Sequence, residues 1–361
     1  MELRCLFVPS HPIWLPSNSD VEARIAVSKR YLGNAGNSSI GFEAVQKSGS
    51  PSRGVFESQV STAQRIRKEF DGDGVETLFS VHAPYVPIEE FTLASESNDF
   101  RRRTIESVRT CVELAEKIGA RIVNTHLGGI LSVTDKGFIV PALKEKTLSR
   151  VEDSINDIVS LAEKKSVTVS IENVPYPLEE LAKGYSPLIG VFPQDFARLV
   201  KDIDSKRLGV TIDFCHLWIT YKTLTEFVKV KNSQSSFAQV EPEDYLGLPS
   251  YESDLIDSYA RDPFGSFLEL LRGKVVHIHL ADSVGLYIPR MSVVSEGEAL
   301  GDGDLDLDSF KRSLKEIGQY SRKTGPVMIV LEIKEVDFDR PVNTMRSLMR
   351  LEKLIKSDAA V

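Results

Sequence analysis

Thiols are scarce in this sequence: its three cysteines, Cys5, Cys111 and Cys215, are odd in number and never in CxxC spacing, which speaks against a disulfide framework and a thiolate zinc site. No run of about 18 apolar residues occurs, and the apolar stretch near the start is too short for a secretory core and meets a proline at once, so no membrane span or signal peptide is expected. Excess charge of one sign is missing too. The 44 Lys and Arg stand against 52 Asp and Glu, a net charge of -8 that exerts no overall pull on nucleic acid or an anionic membrane. The first turn, VPSHPIWLP, lacks the glycines of a nucleotide-binding loop, so no nucleotide cofactor is expected. What remains is a cytoplasmic globular chain of 361 residues, 42% of them hydrophobic, without repeats or low-complexity linkers.

Short apolar, β-branched runs alternate with longer segments of helical periodicity. The runs occupy residues 3–9, 39–45, 77–83, 121–127, 167–173, 208–214, 274–280 and 327–333. Eight strands, each followed by a crossover helix, predict parallel pairing and a single (β/α)8 barrel over residues 1–361. One connection, residues 220–272, is unusually long and polar. It reads as an insertion between strands six and seven that forms a lid or a subunit contact in a homo-oligomer.

Five of the six histidines, His82, His126, His216, His277 and His279, fall at or just past the C-terminal end of a candidate strand. In a barrel those ends converge on one mouth. Glu172, Asp213 and Glu332 interrupt apolar runs at the same level, where an unpaired charge is costly. His82, His126, Glu172, Asp213, His279 and Glu332 thus supply one residue per unit, at separations of 44, 46, 41, 66 and 53 residues. Imidazole and carboxylate without thiolate is a donor set for Mn, Mg, Zn or Co. Alternation puts His277 on the same face as His279, as a layer-filling neighbour. The acids of GDGDLDLDSF lack the spacing of a calcium loop and read as turn and cap residues, with Asp308 the candidate N-cap.

The ordered series SVHAPY, VNTHLGG, SIENVP, GVTIDFCHLW, HIHLADS, GEALGDG and VLEIK resembles the superfamily of divalent-metal barrels that includes xylose isomerase, the ketose 3-epimerases and endonuclease IV. The resemblance implies that Glu172, Asp213, His279 and Glu332 hold one metal, and that His82 and His126 match a pair holding a second. His216 matches a third-metal ligand of the nuclease and a substrate-contacting residue of the epimerases; His126, Trp14 and Arg290 are further candidates for substrate contact. Two departures matter. Ser295 and Gly297 stand where the nuclease carries its other third-metal ligands, and Gly285 stands where the epimerases carry an arginine.

Two metal-held glutamates across a small cavity suit proton transfer at a carbon beside a carbonyl, with Glu172 and Glu332 as the catalytic pair. The expectation is therefore a metal-dependent isomerase or epimerase acting on a small carbohydrate or its phosphate through an enediolate. Two alternatives stand beside it: an endonuclease IV-like phosphodiesterase acting on abasic DNA, and a lyase or dehydratase of small polyhydroxylated acids.

Overall fold

Val, Ile, Leu and Phe fit a pleated surface buried on both faces, and eight short runs rich in them form strands. These are β1 (Phe7–Trp14), β2 (Ser39–Val45), β3 (Glu76–His82), β4 (Ile122–His126), β5 (Thr168–Glu172), β6 (Leu208–Asp213), β7 (Val275–Leu280) and β8 (Val327–Leu331). Each pairs in parallel with the next and β8 returns to β1, closing a (β/α)8 barrel. The computed structural model describes residues 6–14, 18–36, 38–46, 53–85, 92–128, 130–132, 141–176, 185–187, 189–231, 259, 261–285, 287–288, 293–321, 325–337 and 339–356.

Among the described residues the helices are α1 (Asn18–Ala35), α2 (Arg53–Asp71), α3 (Asn98–Ile118), α4 (Pro141–Lys165), α5 (Pro193–Ile203), α6 (Phe214–Lys231), α7 (Pro263–Leu271), α8 (Leu307–Ser321) and α9 (Val342–Lys356). Local chemistry sets their ends. In α3, the Ser97 side chain accepts from the Phe100 N–H at the start, and Gly119 takes the left-handed conformation that stops the helix. The start of α8 corrects an expectation: its cap is Asp306, whose Oδ1 accepts from Asp308 N at 3.1 Å and Ser309 N at 2.9 Å, while Asp308 lies in the first turn. The helix begins one residue before Asp308, so the oxygen two residues upstream meets the free amides.

No residue separates β6 from α6, and the junction is anchored by Phe214. Its ring packs edge-on against Phe264 and Phe310, at centroid distances of 4.9 and 4.8 Å. Complete burial of this ring contributes roughly 1.5–3 kcal/mol, and it fixes the turn that carries Asp213 and His216.

The first strand differs from the expected residues 3–9 by running on to Trp14 through Pro9 and Pro12. Barrel stagger explains this: β1 pairs with β8 over Phe7–Ser10 and with β2 over Ser10–Trp14, so each proline withholds one ladder N–H while its fixed φ remains extended. Of the expected 220–272 insertion, α6 takes the first part and α7 the last; residues 232–258 lie outside the described residues.

The longer β1 places His11 inside the strand, fully buried against α1, with Nε2 2.8 Å from Ser28 Oγ. Burial, with the charge of Arg24 adding to it, lowers its pKa from 6.5 to about 3. The folded state therefore binds this proton less readily than the unfolded chain. The contribution of neutral His11 to stability is complete above pH 6.5 and is lost as the pH falls toward 3. The difference in denaturant midpoint between wild type and His11→Gln is expected to shrink between pH 6.5 and 4. A difference constant over that range would contradict a neutral buried His11.

Candidate metal centre

Side chains of a strand alternate between barrel interior and helix layer, so the last inward residue of each strand lies at the mouth. There the structure brings together Glu172, Asp213, His279 and Glu332, with one donor atom from each within 4.8 Å of the others. The first three are buried and Glu332 is partly open. His279 presents Nδ1 to this group, 2.9 Å from Glu172 Oε1 and 3.4 Å from Glu332 Oε2. The other Glu172 oxygen faces a histidine pair: His82 Nε2 at 3.4 Å and His126 Nε2 at 3.3 Å. Glu172 therefore lies between two donor groups. Its arrangement suits a bridging carboxylate.

The electrostatics are those of opposed charges crowded out of water. Burial would raise Glu172, but His279 and His126 outweigh it and hold the carboxyl well below the usual range. Asp213 goes the other way: burial pushes it up to about 7, with His216 opposing and Glu172 and Glu332 adding to the rise. His279 is raised well above 6.5 against its burial by Glu172, Glu332 and Glu43. Three carboxylates and an imidazole, with no thiolate, fit a divalent cation, whose charge would offset the carboxylate crowding that adds to the effect of burial on Asp213.

Two asparagines that the motifs contain but sequence reasoning did not single out hold the Glu172 carboxylate and the Asp213 backbone. The Asn124 amide donates to Glu172 Oε2. Asn173 clamps β5 to β6, accepting from Asp213 N at 2.8 Å and donating to Asp213 O at 3.0 Å. His216 is fixed at both nitrogens, with Nδ1 2.8 Å from the Asn173 carbonyl and Nε2 2.9 Å from Glu296 Oε1. Glu296 is a third residue that sequence reasoning missed, lying between Ser295 and Gly297, the two positions that the resemblance singles out. The Ser295 hydroxyl accepts from Val284 N at 2.7 Å, and Gly297 has no side chain to offer.

The loops after β7 are pinned by Asp282, whose oxygens accept from Ser283 N, Gly301 N and Leu305 N. Gly303 is required there, because a Cβ would run into Asp282 Oδ1 and the Ser283 carbonyl. Gly285 has φ +77, and the space a side chain would take is filled by Lys222, which is held by Asp304 at 2.6 Å. The backbone and its neighbour thus leave no room for an epimerase-type arginine at this position.

A cavity of about 240 Å³ opens over the cluster, with Pro12, Tyr85, Asp213, Glu296, Glu332 and Lys334 among its walls. Tyr85, also missed in the sequence, packs 5.2 Å from His82 and 5.1 Å from His126 by ring centroids. Of the expected substrate contacts, His126 and His216 are at the mouth. Arg290 and the side chain of Trp14 lie outside the described residues.

A parallel eightfold barrel with an imidazole and carboxylate cluster able to hold a metal ion at its C-terminal mouth defines the class of protein. The family model for the xylose isomerase-like TIM barrel matches residues 38–354, and the chain belongs to that family. An uncharacterized protein of Methanocaldococcus jannaschii is 28% identical over 180 residues, covering 48% of this chain and 54% of its own. A probable endonuclease 4 of Thermoplasma acidophilum is 26% identical over 156 residues, covering 43% of this chain and 45% of its own. The chain thus spans about half the length of these two relatives. Among solved structures, a D-tagatose 3-epimerase-like protein superposes with a TM-score of 0.59 at 19% identity, covering 98% of this chain and 100% of that one, a likeness of fold. Among the described residues, no helix is long and apolar enough to cross a membrane.

Proposed function

We propose that this protein is a divalent-metal-dependent isomerase or epimerase of a sugar or sugar phosphate. The observation that carries the reading is the pair Glu172 and Glu332, which converge on one donor cluster from β5 and from just past β8, beneath a cavity sized for a small polyol. A divalent ion held by Glu172, Asp213, His279 and Glu332, as Mn, Mg, Zn or Co, would polarise adjacent substrate oxygens and stabilise the enediolate. Of the pair Glu172 and Glu332, Glu332 is the one that lines the cavity, and its carboxylate takes the proton from the substrate carbon. Glu172, held by Asn124 and the histidines, would serve the other face, delivering to the carbon a proton it has first taken up from solvent while Glu332 keeps the one it removed. His126 and His216 line the approach and orient hydroxyls. The shared fold of a D-tagatose 3-epimerase-like protein supports this class of substrate. A screen of ketoses, aldoses and their phosphates, with each metal in turn, tests it.

A second reading, a phosphodiesterase of the endonuclease IV type, is favoured by the way His82 and His126 meet Glu172, which suits a two-metal site. Against it stand the Ser295 hydroxyl, engaged by backbone, the bare Gly297, and Glu296 paired with His216 where a third ion would need donors. Nicking of an abasic duplex is expected to be weak or absent. Efficient zinc-dependent cleavage, falling steeply with salt, would reverse the ranking.

A further inference from the structure

One layer below the mouth the barrel interior is polar. Two residues before His82, His126, Glu172, Asp213 and His279 come Ser80, Asn124, Ser170, Thr211 and His277, with the apolar Val330 in that place before Glu332, and β2 adds Glu43, a carboxylate with no exposed surface. These groups connect into a circuit that starts and ends on Glu172. The Asn124 amide donates to Glu172 and its oxygen accepts from Thr211 Oγ1 at 2.7 Å. Thr211 Oγ1 lies 3.4 Å from His277 Nδ1, and His277 Nε2 lies 3.3 Å from Glu43 Oε2. Ser80 donates to the same Glu43 oxygen at 2.9 Å. Glu43 Oε1 faces His279 Nε2 at 2.9 Å, and His279 Nδ1 returns to Glu172 Oε1 at 2.9 Å.

The geometry points to Glu43 as the positioning residue of the metal centre: its carboxylate lies 2.9 Å from His279 Nε2 as a buried ion pair and favours the ring proton on that nitrogen, leaving Nδ1 to face the donor cluster. This rests on the metal-centre reading above. A ligating imidazole needs one nitrogen free of a proton, and which one is free is decided by the partner of the other. Glu43 touches neither the cavity nor any other mouth carboxylate, so its role runs through His279 and, by way of His277, through the layer that carries Asn124.

The test uses the full chain with Glu43→Gln, Glu43→Asp and, as control, Asp213→Ala. Dissociation constants for Mn²⁺ are read from free Mn²⁺ by electron paramagnetic resonance, and for Zn²⁺ by competition with a chromogenic chelator; circular dichroism checks folding. Glu43→Gln is expected to weaken metal binding about 10- to 100-fold, the range for a partner behind a ligating histidine, and Glu43→Asp to regain part of it. At saturating metal KM should stay within about twofold of wild type, because Glu43 contacts no substrate. A folded Glu43→Gln protein with wild-type affinity would overturn the assignment while the Asp213→Ala control still loses its metal. If Asp213→Ala also keeps wild-type affinity, the metal-centre reading itself fails. An ion bound by wild type, kept by Asp213→Ala and lost by Glu43→Gln would also overturn the assignment, making this layer a separate site. Should Glu43→Gln not fold, ¹⁵N-histidine spectra of the zinc-loaded wild type decide: Nδ1 bound to zinc with a protonated Nε2 at His279 is expected, and the reverse would overturn it.

Discussion

Asp213→Ala is expected to leave a folded protein that purifies with little bound metal and has no measurable isomerase activity. The carboxylate sits at the end of β6 with its backbone clamped by Asn173, so the Ala variant keeps the clamp and loses only the donor. Loss of a direct ligand should exceed the roughly 10- to 100-fold drop in affinity typical of a partner one shell further out. The fold should tolerate the change, because Asp213 is a carboxyl that burial pushes up to about 7, with Glu172 and Glu332 adding to the rise, and its removal leaves one buried acid fewer in a crowd of three. Elemental analysis beside a circular dichroism melt measures both. Unchanged metal stoichiometry would remove Asp213 from the ligand set.

The second large effect separates Glu332 from the early histidines. With a substrate that turns over and metal occupancy verified, Glu332→Gln should lose exchange of the carbon-bound hydrogen with solvent deuterium, a fall of about 10²- to 10⁴-fold for loss of a general base. His82→Ala should keep measurable exchange with a raised KM or lowered kcat. The structural reason is position: Glu332 opens to the cavity, whereas His82 is buried behind Glu172 and Tyr85. In a two-metal hydrolase the emphasis reverses, because His82 and His126 would hold the ion that positions the attacking water. Full exchange by metal-loaded Glu332→Gln would exclude it as an essential proton carrier.

The barrel was legible because parallel strands are buried on both faces and read as unbroken apolar runs, so the residues that interrupt them stand out. Glu172 in SIEN and Asp213 in TIDFCH are such interruptions, and they meet in space because the closed sheet aligns the strand ends. Glu43 interrupts SIGFEAV in the same way. It was passed over because it lies two residues before the end of β2, one layer deeper, and depth is set by barrel stagger that no single strand encodes. Glu296 and Tyr85 sit in loops whose course depends on contacts far along the chain, such as Glu298 bridging to Asp282 and Tyr85 lying against His126. The extension of β1 past residue 9 was not legible, because whether a proline's missing ladder N–H is tolerated depends on which neighbour is paired at that level. The Asp306 cap was misplaced by two residues among aspartates of equal local merit, the choice resting on where α8 meets the barrel.

The central claim is proton transfer at a substrate carbon beneath a metal-binding mouth. Its most direct test is to incubate the wild-type protein with a panel of ketoses, aldoses and their phosphates in D₂O, with Mn, Mg, Zn or Co, and read carbon-bound deuterium by NMR and mass spectrometry. The account predicts deuterium at the carbon adjacent to the carbonyl of at least one sugar, abolished by a chelator and restored by metal. Metal-stimulated phosphodiester cleavage with no carbon-hydrogen exchange on any sugar would contradict it.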